Sequence, residues 1–96
     1  MSITVIVVRD VAPRFKGFLS GCMLEMAVGV FISPDLSTGA RNRIWSLLTE
    51  WHHQLGGIIM MSWQDSREPS GLGVKCLGEP TRHIIEYEGI YLVMRD

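Results

Sequence analysis

Three charged side chains near the start of the chain have the types and spacing that could do chemistry. Asp10 follows an apolar run over residues 3–8, and Arg14 and Lys16 come shortly after it. A carboxylate just past the end of a buried strand lies where loops collect and where sites form. Asp10 can cap a helix, bind a metal ion, or simply end the strand, and the residues alone leave all three open.

Each interpretation of Asp10 needs a different neighbour. As a cap it would accept hydrogen bonds from the first turn of a helix, since it stands three residues before Pro13. As a metal ligand it needs further ligands beside it, because magnesium sites commonly combine one or two carboxylates with waters and phosphates. A two-fold dimer would bring two copies of Asp10 together and form one shared Mg²⁺ site.

Arg14 and Lys16 fall in the first turn of the helix that Pro13 is expected to open. Cations at this end oppose the helix dipole, which costs a few tenths of a kcal/mol each. Together with the helix N–H groups they favour phosphate, although a solvated basic face is the alternative. Such phosphate contacts would hold a nucleic-acid backbone without reading its sequence.

Composition narrows the class of protein. The chain has 96 residues, 47% of them apolar, and a net charge of −1. We expect residues 1–96 to form one domain whose small core favours a dimer. The near-zero charge excludes a global field that attracts nucleic acid, so binding would need a local basic patch. Cys22 and Cys76 are expected to be buried free thiols, as in a cytoplasmic protein, and no apolar run is long enough to span a membrane.

The order of elements predicts an α+β fold, a ferredoxin-like two-layer sandwich with two helices on a mainly antiparallel sheet. Strands are predicted over residues 3–8, 29–33, 58–63 and 72–77. Ser37 is expected to cap the second helix and Gly56-Gly57 to end it. The apolar stripe of the first helix has helical spacing and comprises Phe15, Phe18, Leu19, Cys22, Met23 and Met26.

Two further features complete this topology. The ferredoxin-like fold needs two strands between its helices, and we expect the second of them to be very short. Residues 82–96 read as a terminal hairpin around a turn at residues 88–89.

The remaining candidates for chemistry are weaker. His52 and His53 are adjacent, so on a helix they point about 100° apart and cannot form an i, i+4 metal pair. His83 has no ligand partner nearby in the sequence. Trp51 belongs to the apolar stripe of the second helix. Exposed aromatic residues in an RNA-recognition motif and a glycine-rich phosphate loop are both missing from the sequence.

Six segments, in this order, carry a resemblance to a known family: "VRDVAPRFKGFL", "MLEMAVGVFIS", "IWSLLTEW", "IIMMSW", "LGEPTR" and "EGIYLV". Their joint order and spacing resemble the Cas-two family of CRISPR-associated proteins, most closely its subtype I-E branch. The resemblance implies a ferredoxin-like fold and a two-fold homodimer. It also implies a partner, the Cas-one integrase, and a dimer that bridges two integrase dimers and supports double-stranded spacer DNA before insertion.

The resemblance also assigns residues. Basic residues inside the first helix of the branch hold the spacer backbone, and they match Arg14 and Lys16. A second basic pair before the terminal hairpin matches Arg82, with Thr81 in the other place. The C-terminal strands of the branch dock on the integrase, which points to Ile90, Tyr91, Leu92, Val93 and Met94.

Many members of the family are described as Mg²⁺-dependent endonucleases acting on RNA or double-stranded DNA. Their activity centres on an Asp at the end of the first strand, in a Tyr-Asp-Val/Ile pattern. Here the triplet is "RDV", so Asp10 matches the acid and Arg9 replaces the tyrosine. Close subtype I-E relatives tend to have an acidic residue where this chain has Arg9. A third interpretation is a ferredoxin-like regulatory or metabolic module that binds no nucleic acid, because fold alone does not give function.

Overall fold

The computed structural model describes residues 3–78 in full and residues 82–87 and 90–95 as backbone only. Its elements in chain order are β1 (Thr4–Arg9), α1 (Pro13–Cys22), β2 (Leu24–Ala27), β3 (Val30–Ser33), α2 (Thr38–Leu55), β4 (Ile58–Gln64), β5 (Leu72–Leu77), β6 (Arg82–Tyr87) and β7 (Ile90–Arg95). Among the described residues, neither helix is long and apolar enough to cross a membrane.

The main sheet has five strands in the order β2-β3-β1-β4-β5. Every neighbouring pair in it is antiparallel. The predicted α+β class, with two helices and an antiparallel sheet, is therefore confirmed. The strand order, with β1 between β3 and β4, is compatible with the ferredoxin-like fold. β5 extends the sheet beyond β4.

The ferredoxin-like fold needs two strands between its helices. The short one that the sequence left unassigned is β2, which has four residues. The predicted stripe of α1 was wrong at its end, because the helix stops at Cys22 and neither Met23 nor Met26 is helical. Two glycines within α1 weaken it, while Leu24 pairs with Ile32 of β3. The residues after Cys22 therefore form β2 and pair with β3, although their apolar side chains continue the helical spacing.

Neither cysteine is buried as the sequence predicted. Cys22 was predicted to be buried, but it is exposed, and Cys76 is only half-buried. The Cys22 thiol donates to the carbonyl of Phe18 at 3.5 Å, and partial burial raises the pKa of this thiol. Neither cysteine is a core residue.

The hydrophobic core lies between the two helices and one face of the sheet. Ile6, Phe31 and Met61 face each other across three neighbouring strands, and all are almost fully buried. Phe15 and Leu19 of α1, with Leu48 of α2, belong to the same buried cluster. Both helices therefore cover the same face.

The opposite face of the sheet is also apolar, and we call it the open face. Its side chains are in register across the strands, since Val7 pairs with both Val30 and Met60, and Val5 pairs with Ile32. Each of these residues keeps partial exposure, whereas their neighbours on the helix side are buried. The open face is thus an apolar surface that neither helix covers.

The caps of α2 follow the prediction. Ser37 accepts a hydrogen bond from the backbone N–H of Ala40 at 3.1 Å, and Gly56, at φ 69°, ends the helix. The terminal hairpin is also confirmed as two strands, since β6 and β7 pair antiparallel in a sheet of their own. Its predicted turn at residues 88–89 lies outside the described residues.

Candidate nucleic-acid interface

Asp10 lies exposed immediately after β1. Its φ of 56° makes it the only non-glycine residue with a positive φ in the described part of the chain. Asp tolerates this left-handed region better than most side chains, yet the conformation still needs support from its surroundings. No hydrogen bond or ion pair among the described residues involves its carboxylate.

The capping interpretation of Asp10 is wrong. The N-cap of α1 is Ala12, and the helix has no side-chain cap hydrogen bond. Pro13 occupies the first helical turn, as predicted, and this places the cap two residues beyond Asp10. The left-handed turn at Asp10 then leaves its carboxylate unused by the helix.

The turn at Asp10 is supported by the loop between α2 and β4. A Cβ on Gly57 would come within 2.6 Å of the Val11 side chain and 3.0 Å of the Asp10 carbonyl oxygen. Gly57 has a φ of 101°, and the Nε2 of His52 lies 3.0 Å from its carbonyl oxygen, so this nitrogen donates a hydrogen bond there. His52 therefore helps to hold the loop between α2 and β4 in place.

Arg14 is an exposed cation on an aromatic support. Its guanidinium carbon lies 5.4 Å from the centre of the Trp51 ring, a cation–π distance. Trp51 is itself fixed by edge contacts with Phe15 and Phe18, at ring separations of 5.6 and 5.5 Å. The contact with Trp51 restricts the guanidinium, while its N–H groups stay accessible.

Lys16 lies on a different side of α1. Residues two apart on a helix do not face each other, so Lys16 points away from the side on which Arg14 meets Trp51. It is half-buried rather than fully exposed. The two predicted cations therefore flank the first turn of α1 instead of forming one pair.

The first turn of α1 itself favours an anion. It contains no acidic residue, and no side chain caps it. The first N–H groups of a helix have no partner within the helix and carry its positive dipole end. In this turn, however, Pro13 has no N–H and the N–H of Phe15 donates to the carbonyl oxygen of Ala12 at 3.1 Å. The donors that suit phosphate are therefore chiefly the charged groups of Arg14 and Lys16 on its two sides.

The Asp10 carboxylate alone does not make a metal site. Within residues 3–78, no three His, Cys, Asp or Glu side chains lie close enough together to bind an ion. Asp10 is free and exposed, which fits one ligand of a Mg²⁺ ion, but the rest of the set would have to come from a second chain.

Several predicted site residues fall where only the backbone is described. Arg82 is the first residue of β6, and residues 90–94 belong to β7. Their side chains lie outside the described residues, as does His83.

Residues 3–92 match the model of a protein family described as CRISPR-associated protein (Cas_Cas2CT1978). The chain belongs to this CRISPR-associated Cas-two-type family. The match runs from β1 into β7 and includes Asp10, Arg14, Lys16 and Trp51. It favours a role in a CRISPR system over the predicted alternative of a regulatory module.

Sequence reasoning did not predict that Trp51 contacts Arg14 at the candidate interface. The sequence placed it in the apolar stripe of α2, where it does contact the core. Its second role, as the support for Arg14, depends on the packing of α1 against α2. A Trp at the edge of a stripe, next to a helix with cations in its first turn, was the available signal.

We expect Gly57→Ala to lower the free energy of unfolding by about 1–3 kcal/mol, because the new Cβ would meet Val11 and the φ is unfavourable for Ala. Urea unfolding measures this change. Gly17→Ala is the matched control, since its Cβ would have nothing within 4 Å and should stabilise α1 by about 0.5–1 kcal/mol. Equal effects at the two sites would contradict the packing assigned to Gly57.

A double-mutant cycle tests the support of Arg14. Arg14→Ala and Trp51→Leu should show a coupling of about 0.5–1 kcal/mol in unfolding free energy, the range for exposed cation–π pairs. The control cycle combines Lys16→Ala with Trp51→Leu and should be additive within about 0.3–0.5 kcal/mol. A coupling that is absent for Arg14, or the same for Lys16, would refute the contact.

Proposed function

We propose that this chain is a CRISPR adaptation protein of the subtype I-E branch, acting in the cytoplasm. In this role a homodimer bridges the Cas-one integrase and holds double-stranded spacer DNA through backbone contacts. The observation that carries the proposal is the first turn of α1, where Arg14 is supported on Trp51 and no acidic residue is present, in a chain of this family.

The type of contact follows from the donors present. Guanidinium, ammonium and backbone N–H groups all bind phosphate oxygens, and none of them reads a base edge from this position. A support for arbitrary spacer DNA needs affinity without sequence preference, which phosphate contacts supply. Arg82, on the resemblance, would extend the same basic surface.

The open face supports the homodimer. A two-layer domain with an apolar, half-buried second sheet face gains stability when another copy covers that face. Val7 and Met60, near its centre, lie on the central strand β1 and its neighbour β4. Packing two copies through this face would also place two first turns of α1 on one particle, and so lengthen the basic surface available to a duplex.

The terminal hairpin supports an integrase partner. β6 and β7 form a sheet of two strands, and such a pair is marginally stable by itself. Its strand edges offer unpaired backbone groups to another chain, which is a common mode of docking. We assign this contact to β7, through Ile90, Tyr91, Leu92, Val93 and Met94.

A second candidate activity is Mg²⁺-dependent cleavage of RNA or double-stranded DNA. It is favoured by the conformation of Asp10, because a non-glycine residue at positive φ often marks a functional site. Two copies of Asp10 in a dimer would each supply a carboxylate to a shared Mg²⁺. The ion, when bound, would activate water and stabilise charge on phosphate.

Replacing Arg14 with Gln should weaken duplex binding by the complex with the integrase and abolish spacer acquisition. Loss of one phosphate contact should reduce the slope of log K against log [salt] by about 0.9, or twice that in a dimer. Arg43→Gln is the control, because Arg43 is exposed on α2 and away from α1. Unchanged acquisition in Arg14→Gln, or sequence-selective binding by the native protein, would contradict the proposal.

The variant Asp10→Asn separates the two candidates. Asn also tolerates positive φ, so the backbone should stay intact while the carboxylate charge is lost. If Asp10 binds Mg²⁺, cleavage of RNA or DNA by the purified dimer disappears and duplex binding persists. Cleavage that survives the substitution would remove the nuclease candidate without affecting the adaptation proposal.

A further inference from the structure

A second polar site lies at the other end of the sheet from Asp10. Thr4 pairs with Trp63 at the start of β1, whereas Arg9 pairs with Ile58 at its end. The cavity at the Trp63 end has a volume of about 430 Å³. It lies between the first turns of α2 and the region where β4 leads into β5, and its lining includes Thr38, Arg41, Trp63, Asp65, Arg67 and Lys75.

Arg41 is the unusual member of this lining. It is only 6% exposed, and its guanidinium carbon lies 4.5 Å from the centre of the Trp63 ring. No hydrogen bond or ion pair among the described residues involves its side chain. The guanidinium nitrogens of Arg41 are not among the fully buried unpaired atoms, so they reach the solvent in the cavity. Arg41 is thus a partly desolvated cation that is open to an anion.

Trp63 has a second unused donor. Its indole N–H is buried and makes no hydrogen bond within the described chain. This nitrogen lies near Asp65, where it helps to lower the pKa of that carboxyl, and a Cβ on Gly73 would come within 2.7 Å of it. The indole nitrogen is therefore closed off from the cavity, and the guanidinium of Arg41 beside it is the donor that an anion in the cavity can reach.

Asp65 does not serve as the missing anion. Its Oδ1 accepts hydrogen bonds from the backbone N–H of Arg67 at 3.0 Å and from its Nε at 3.1 Å. Its Oδ2 accepts from the Nη2 of Arg67 at 3.3 Å. These hydrogen bonds from Arg67 hold the pKa of Asp65 below its usual range. The carboxylate is therefore ionised, and both of its oxygens already accept hydrogen bonds from Arg67.

The charges of the lining indicate which anion fits. Three cations, Arg41, Arg67 and Lys75, face two acids, Asp65 and Glu68, and this leaves one positive charge to neutralise. A monoanion matches that excess, whereas a phosphate dianion would be repelled by the two acids. We propose that this cavity binds a carboxylate group, which accepts hydrogen bonds from the guanidinium of Arg41 next to the Trp63 ring.

The carboxylate can come from a small acid or from an acidic side chain of a bound polypeptide. Both sources present the same group to Arg41, and the cavity volume exceeds what a single carboxylate fills. The proposal does not depend on the DNA-binding role, because the cavity and the first turn of α1 lie at opposite ends of the sheet.

Titration of the full chain with acetate, at ionic strength held constant with chloride, tests the site. The ¹H–¹⁵N signal of the Trp63 indole, assigned with Trp63→Phe, should shift saturably while those of Trp45 and Trp51 do not. Arg41→Met should weaken acetate binding at least about tenfold. Arg43→Met, on the exposed side of the same helix, should leave it within twofold.

A second variant covers the case in which Arg41→Met does not fold. Lys75→Met removes an exposed cation and should weaken acetate binding about two- to fivefold. A blocked glutamate (N-acetylglutamate N-methylamide) then separates the sources. Binding at least tenfold tighter than acetate indicates a polypeptide side chain, and equal binding indicates a small acid.

Three results would overturn the proposal. They are a Trp63 signal that responds to neither carboxylate, an unchanged affinity in both Arg41→Met and Lys75→Met, and inorganic phosphate that binds more tightly than acetate.

Discussion

The structure depends on a sheet that is apolar on both faces but covered by helices on only one. Alternate residues of β1 point to opposite faces of the sheet. Ile6 is buried under the helices, whereas Val7 lies on the open face. Covering the open face removes apolar area from water, worth about 25 cal/mol per Å² before the costs of association. A small domain with this surface gains by pairing with another copy.

The same sheet positions the proposed interface. β1 leads directly into Asp10, where the chain makes a left-handed turn packed closely against Gly57 before α1 begins. Packing of α2 against α1 then brings Trp51 under Arg14. The charged groups are therefore placed by contacts between segments far apart in the sequence, and the dimer we propose would present two such sets together.

Local patterns predicted the elements well because their causes are local. Ser37 and Gly56 cap the two ends of α2 as predicted. The apolar runs correctly predicted the neighbouring strands β1 and β4. The end of α1 was missed because Met23 and Met26 continue the helical spacing, while pairing of β2 with β3 decides the outcome. Asp10 does not cap α1 because the helix begins at Pro13 with Ala12 as its N-cap. Arg41 could have been noticed, since it shares the buried stripe of Ile44 and Leu48, where an arginine is rarely unpaired.

The mass of the protein in solution tests the central claim most directly. Sedimentation equilibrium should give the mass of two chains for the native protein and of one chain for Val7→Lys, which places a charge in the middle of the open face. Val28→Lys should remain a dimer, because Val28 is 87% exposed in the turn between β2 and β3. A native monomer, or a Val7→Lys variant that is folded by circular dichroism and still dimeric, would contradict the account.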